Sequence, residues 1–185
     1  MSKFLIGIAI VICVHARSAA AQDSKLVLTA GVGMGFNRGR TADFAVTSGN
    51  MVAGAGYNFS KSITAMLEYQ YYNLEVRPLL LAVTDTESSV ANVQSVSANL
   101  LFRPKNKIGI YGIAGLGRYR RLIDLRGPSP VPEMSSDSAL GINAGSGVEF
   151  PISGKLKMFG ELRYHYAYNS KIPTQILPVT FGFRW

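Results

Sequence analysis

The sequence predicts an all-β chain: eight antiparallel strands closed into an up-and-down transmembrane β-barrel. Three observations predict it. Short segments alternate apolar with small or polar residues, the connections between them alternate in length, and every second segment ends on an aromatic of the apolar face. After residue 21 no window approaches the roughly 18 consecutive apolar residues of a helical span, although apolar types make up 48% of the chain.

Residues 1–21 read as a secretory signal peptide and residues 22–185 as the barrel domain. Lys3, the apolar run Phe4 to Val14 and the small residues Ala19-Ala20-Ala21 before Gln22 follow the order of charged, apolar and cleavage regions. The run is shorter than the roughly 20 residues that cross a bilayer. The single cysteine, Cys13, lies inside it, so the mature chain is expected to hold no disulfide. Removing the leader takes Lys3 and Arg17 from 19 basic residues set against 11 acidic ones, which leaves about +6. The basic residues are scattered, which speaks against nucleic acid and for anionic lipid headgroups.

The strands follow in order. From Lys25 to Arg38, Leu26, Leu28, Ala30, Val32, Met34 and Phe36 share one face, and Thr29, Gly31, Gly33, Gly35 and Asn37 the other. A soluble sandwich would carry charges on its outer face, and they are missing here. Met51 to Phe59 and Ile63 to Tyr72 repeat the alternation across Ser60-Lys61-Ser62, a tight hairpin. Val93 to Phe102 sets Val96, Ala98, Leu100 and Phe102 against Ser95, Ser97 and Asn99. Ile108 to Arg120 is ambiguous in phase: either Ile110, Ala114 and Leu116 or Tyr111, Ile113 and Tyr119 could face outward, with a bulge near Gly115 or Gly117 allowing both. Ser138 to Phe150, Leu156 to Tyr166 and Leu177 to Trp185 complete the eight.

Connections after the second, fourth and sixth strands take about three to six residues, and the others are longer and hold stretches such as Gly127-Pro128-Ser129-Pro130. Short turns on one side and long loops on the other are the asymmetry of outer-membrane barrels. Phe59, Phe102, Phe150 and Trp185 then form an aromatic girdle at the short-turn rim, with Phe36, Tyr71, Tyr164 and Tyr166 toward the opposite interface.

The segments Ala53-Gly54-Ala55-Gly56-Tyr57, Leu67-Glu68-Tyr69, Gly112-Ile113-Ala114-Gly115-Leu116-Gly117, Asn143-Ala144-Gly145-Ser146-Gly147-Val148-Glu149 and Glu161-Leu162-Arg163-Tyr164 span nearly all of the mature chain. In them it resembles the small eight-stranded outer-membrane β-barrel superfamily, the OmpA and OmpX kind. The resemblance implies a monomeric, surface-facing barrel of the bacterial outer membrane with no cofactor. Phe183 and Trp185 are similar to the terminal signal read by the barrel-insertion machinery, with Thr180 standing where that signal usually carries Gly.

Glu68, Glu149, Glu161, Arg163, His165 and Arg184 all fall on inward faces, where an eight-stranded barrel is just wide enough to be filled by side chains. Opposite charges there must pair, because an isolated ion in a low-dielectric interior is expensive. A hydrogen-bonded plug is therefore expected, and a narrow ion path through rearranged pairs is the alternative. Arg163 to Ser170 faintly resembles the site of the lipid A deacylases. Ala167 stands where a His-x-Ser pair needs its nucleophile, however, and His165 points inward, so no catalytic residue is expected. Arg118, Arg120 and Arg121, with Arg38, Arg40, Arg77, Arg126 and Lys171 near other outer strand ends, form a crown able to contact lipopolysaccharide phosphates. Leu79 to Val83 is an apolar patch that needs a covering surface, expected where the third strand continues outward to pair with Val90 to Val96.

Three functions remain in order of preference. The first is a side-chain-filled barrel whose loops serve structural, adhesion-like or envelope-interaction roles toward an unknown extracellular ligand. The second is a small-conductance channel, and the third a lipid A-modifying enzyme.

Overall fold

Alternation at period two puts half of each segment's side chains on each face, and the two faces have opposite fates in this protein. The computed structural model describes residues 25–44, 47–74, 88–104, 109–126, 135–169 and 173–185. The leader at 1–21 and the apolar patch Leu79 to Val83 lie outside the described residues, as do Arg77 and Lys171. Eight strands follow in chain order: β1 (Leu26–Asn37), β2 (Thr47–Asn58), β3 (Ile63–Leu74), β4 (Ser88–Phe102), β5 (Ile110–Arg126), β6 (Ser135–Ser153), β7 (Leu156–Ala167) and β8 (Thr174–Arg184). Each pairs antiparallel with its neighbours in sequence, and β8 closes on β1. The closing ladder runs from Thr29 opposite Arg184 to Asn37 opposite Ile176, and the Leu28 and Trp185 backbones exchange hydrogen bonds beside it. Closure leaves no sheet edge, the condition for placing strand backbone in hydrocarbon.

The apolar faces point out. Leu140 is 71% exposed, Leu116 66% and Phe59 65%, and Leu67, Leu100, Val32 and Phe181 are exposed with them. So large and continuous an apolar surface would aggregate in water, whereas the outer wall of a membrane barrel requires it. Inside, the polar residues are buried. Two apolar clusters fill the lumen toward its ends: Tyr72, Leu74, Val93, Tyr119 and Ile176 toward the long-loop rim, and Val52, Met66, Leu101, Tyr111, Ile113 and Phe159 toward the short turns.

The open phase of the fifth strand resolves in one direction. Tyr111, Ile113 and Tyr119 are buried and face the lumen, while Ile110, Ala114 and Leu116 face out. No bulge falls near Gly115 or Gly117: the β4–β5 register is continuous from Phe102 opposite Gly112 to Ser88 opposite Arg126. A register shift falls instead in β6 between Pro151 and Ser153, where proline has no N–H to give the ladder.

Glycines on β6 make the inward phase of the tyrosines possible. A Cβ on Gly147 would lie 2.5 Å from the Tyr111 ring and 2.6 Å from the Gly160 carbonyl oxygen. One on Gly141 would lie 2.7 Å from the Tyr119 ring. Gly147→Ala is therefore expected to destabilise the barrel by about 1–3 kcal/mol through overpacking. Urea titration of the refolded protein in lipid vesicles reads this as a lower midpoint, and an unchanged midpoint would contradict the packing described.

On the long-loop side one feature departs from the sequence-based reading and one agrees with it. β5 and β6 extend to Arg126 and back to Ser135, well past Arg120 and Ser138. β3 does continue past Tyr72 as expected: Asn73 and Leu74 pair with Asn92 and Ala91, so Ala91 to Val96 are covered by β3. After β1 a single helical turn, α1 (Thr41–Phe44), carries Thr41, whose hydroxyl donates to the Pro173 carbonyl at 3.1 Å and accepts from the Gln175 N–H at 2.9 Å. That pair of bonds ties the first loop to the start of β8.

Candidate functional site: the lumen network and the outer rim

Even-numbered spacing along β3 and odd-numbered spacing along β5, β6 and β7 aim Glu68, Tyr111, Tyr119, Asn143, Glu149, Glu161, Arg163 and His165 at one another across the lumen. Arg163 stands at the centre. Its Nη1 lies 2.7 Å from Glu68 Oε2, its Nη2 2.5 Å from Glu161 Oε1, and its Nε donates to Glu161 Oε1 at 2.8 Å. All three side chains are almost fully buried. The remaining acceptor capacity is used by neutral donors, with Asn99 Nδ2 at 2.7 Å from Glu68 Oε2 and the Tyr111 hydroxyl at 2.9 Å from Glu161 Oε2.

A second group sits toward the short-turn end around Glu149. Arg103 reaches it with two N–H bonds, Nε to Oε2 at 3.0 Å and Nη2 to Oε1 at 3.1 Å. Lys157 Nζ lies 3.1 Å from Oε2, and Arg184 Nη1 contacts Oε1. Arg184 also lies over Phe159, 4.6 Å from its ring centroid, and over Tyr111 at 5.0 Å. Its Nη2 lies 3.9 Å from Glu161 Oε2, which links the two groups. The six inward residues expected from sequence thus fall into this lumen, five of them in one charged chain from Glu68 to Glu149.

His165 stands apart from that chain. Its Nδ1 is 2.8 Å from the Tyr119 hydroxyl and its Nε2 3.2 Å from the Tyr72 hydroxyl, with both phenol rings edge-on to the imidazole. The Tyr72 hydroxyl donates in turn to Gln70. The ring is enclosed and points away from the outer wall, where a His–Ser pair acting on lipid would have to stand, and Ser170 lies outside the described residues.

Arg103, Lys157, Tyr72, Tyr111, Tyr119, Asn99 and Asn143 belong to the network and were not singled out from sequence. Period-two phase on β4 to β7 could have nominated most of them. Arg103 gives no such signal, because it stands beyond the strand in a turn-like Arg-Pro sequence.

At the rims, Phe59, Phe102 and Phe150 are exposed and Trp185 is half-buried; Phe59 and Phe102 both border the β3 start, where Phe102 pairs with Ile63. On the long-loop side Phe36 and Tyr164 are exposed and Tyr71 and Tyr166 half-buried. Arg118, Arg120 and Arg121 of β5 separate into two faces. Arg118 and Arg120 are exposed on the outer wall, whereas Arg121 has the inward phase and lies 3.6 Å from Asp137.

With this geometry in place, comparison with known proteins gives a consistent result. The family model described as the outer membrane protein beta-barrel domain matches residues 6–184. Among solved structures, the chain is similar to the Neisserial surface protein A, with TM-score 0.65 and 15% identity over 87% of this chain and 96% of that one. It is similar to Ail of Yersinia pestis, with TM-score 0.60 and 13% identity over 89% and 100% of the two chains. A major outer membrane protein from Thermus thermophilus gives TM-score 0.65 and 12% identity over 89% and 99%. A search of the curated proteins finds no match. At these identities the solved structures speak to fold, and the family model to descent: the chain belongs to the outer membrane protein beta-barrel domain family, among its small eight-stranded barrels.

Proposed function

We propose that this protein is a sealed outer-membrane barrel whose work is done outside the lumen, by the long loops and outer strand ends, in attachment or envelope interaction. It is exported with residues 1–21 removed, inserted by the barrel-assembly machinery and works as a monomer without a cofactor. The observation that carries this reading is the Glu68–Arg163–Glu161 triad, closed by Asn99 and Tyr111 and backed by the Tyr72–His165–Tyr119 layer. Opening a path through it would strip buried ions of their partners, at several kcal/mol per ion. A lumen filled in this way supports a scaffold more readily than a conduit or an enzyme, and long loops on a rigid frame are where binding residues concentrate. Ail, named an attachment invasion locus protein, has also been solved with the heparin analogue sucrose octasulfate, which adds support for an attachment role in barrels of this size.

The test is adhesion of intact cells producing the protein to heparin-coated and matrix-coated surfaces. A variant with the segment Arg77 to Ser89 shortened is compared, and heat-modifiable gel migration reports whether its barrel has formed. The expected result is a loss of adhesion with the barrel intact. Adhesion by neither form above that of cells lacking the protein would contradict the reading.

A further inference from the structure

We propose that Arg118 and Arg120 form a binding site on the outer wall of the barrel for the phosphate groups of the outer-leaflet glycolipid. The inference rests on the barrel standing in the outer membrane and not on any role of the loops.

Along β5 the outward positions run Ile110, Gly112, Ala114, Leu116, Arg118, Arg120. The strand passes from an apolar wall to two successive cations without changing face. Its neighbours place the same transition at the same height. Arg118 pairs with Val96 on one side and Leu140 on the other, both exposed and apolar, whereas Arg120 pairs with Gln94 and Ser138. The boundary between hydrocarbon and headgroup therefore falls between these two rows, and the aliphatic stems can lie on the wall while the guanidinium groups reach the polar layer.

Residues two apart on a strand stand about 6.6–6.8 Å apart on one face, which lets the two forks engage neighbouring phosphate oxygens or two phosphates of one headgroup. Arg118 Nε donates to Ser138 Oγ at 2.9 Å, which holds this guanidinium against the wall beside Ser138. The outward positions of Gln94 to Phe102, Ile110 to Arg120 and Ser138 to Phe150 include no acidic residue. Arg121 does not share the site, because its phase turns it toward the barrel mouth and Asp137.

The experiment is native mass spectrometry of the refolded full chain in detergent micelles with bisphosphorylated lipid A, dephosphorylated lipid A, inorganic phosphate or a heparin oligosaccharide. The native chain is expected to retain bisphosphorylated lipid A in preference to the dephosphorylated form. Arg118→Gln/Arg120→Gln is expected to lose at least about tenfold in retention, from the loss of charge-assisted hydrogen bonds. Arg121→Gln is expected to retain native binding. Equal retention of both lipid A forms by the native chain would overturn the site, and that comparison needs no variant. Equal retention by the double variant would overturn it too, as would full displacement by inorganic phosphate or binding of the heparin oligosaccharide alone. Heat-modifiable migration separates the two possible failures: its loss from the native chain sinks the barrel reading, whereas its persistence without lipid selectivity sinks only the site.

Discussion

Arg163→Ala is expected to destabilise the folded barrel by about 3–5 kcal/mol, the range for leaving buried charges without their partner. Arg163 is the shared cation of Glu68 and Glu161, 2.7 Å from the first and 2.5 Å from the second, and all three are buried. Its removal strands two carboxylates at once. Asn99 and Tyr111 would still donate to them, but a neutral hydrogen bond does not offset a lost ion pair. Equilibrium urea titration in lipid vesicles, followed by the fluorescence of Trp185, reads the loss directly. Adding Glu68→Gln and Glu161→Gln to the same variant should recover much of it, since no charge is then left unpaired. If Arg163→Ala alone unfolds at the native midpoint, the triad does not hold the lumen together.

Leu100→Arg is expected to cost about 1–3 kcal/mol, between the roughly 2–4 kcal/mol of a cation on the lipid face at the bilayer midplane and the roughly 0–1 kcal/mol near an interface. Leu100 is 60% exposed on the outer face of β4, two positions from Phe102 at the short-turn rim and six from Gln94 at the long-loop side. On a soluble protein the same exposed substitution would change stability by about 0.5 kcal/mol or less. The sign and size of the effect therefore report what the wall touches. A drop in the urea midpoint in vesicles agrees with a lipid-facing wall, and an unchanged or raised midpoint contradicts it.

The outer wall was legible in the sequence because lipid makes nearly every outward position within the membrane apolar or small, Ser146 of β6 excepted, so most strands carry the same period-two code. The code weakens wherever that pressure ends. Beyond the membrane boundary water tolerates either kind of residue on either face, and so the extension of β5 to Arg126 and of β6 back to Ser135 left no pattern to read. β5 was ambiguous for a related reason: Tyr111, Ile113 and Tyr119 are as apolar as the residues opposite them. Their place was decided on another strand, where Gly141 and Gly147 leave the space the two tyrosine rings occupy.

The lumen was legible as a set of residues and not as a set of bonds. Glu68, Glu149, Glu161, Arg163, His165 and Arg184 follow from phase alone. Which carboxylate meets which cation depends on how far each strand is staggered around the closed barrel, and that stagger is written in no single segment. Glu68 and Arg163 are 95 residues apart in sequence and meet at 2.7 Å. Arg103 illustrates the limit. It follows β4 in a segment that reads as a turn, yet its side chain turns back to bind Glu149 through two bonds and the Thr64 hydroxyl through a third at 2.5 Å.

The central claim is that the lumen is closed by these pairs, and planar-bilayer recording of the purified, refolded full chain tests it most directly. Closure predicts a baseline without stable unitary openings over the ordinary range of applied voltage. Reproducible openings of fixed amplitude, present with the native chain and absent with an empty detergent control, would contradict it.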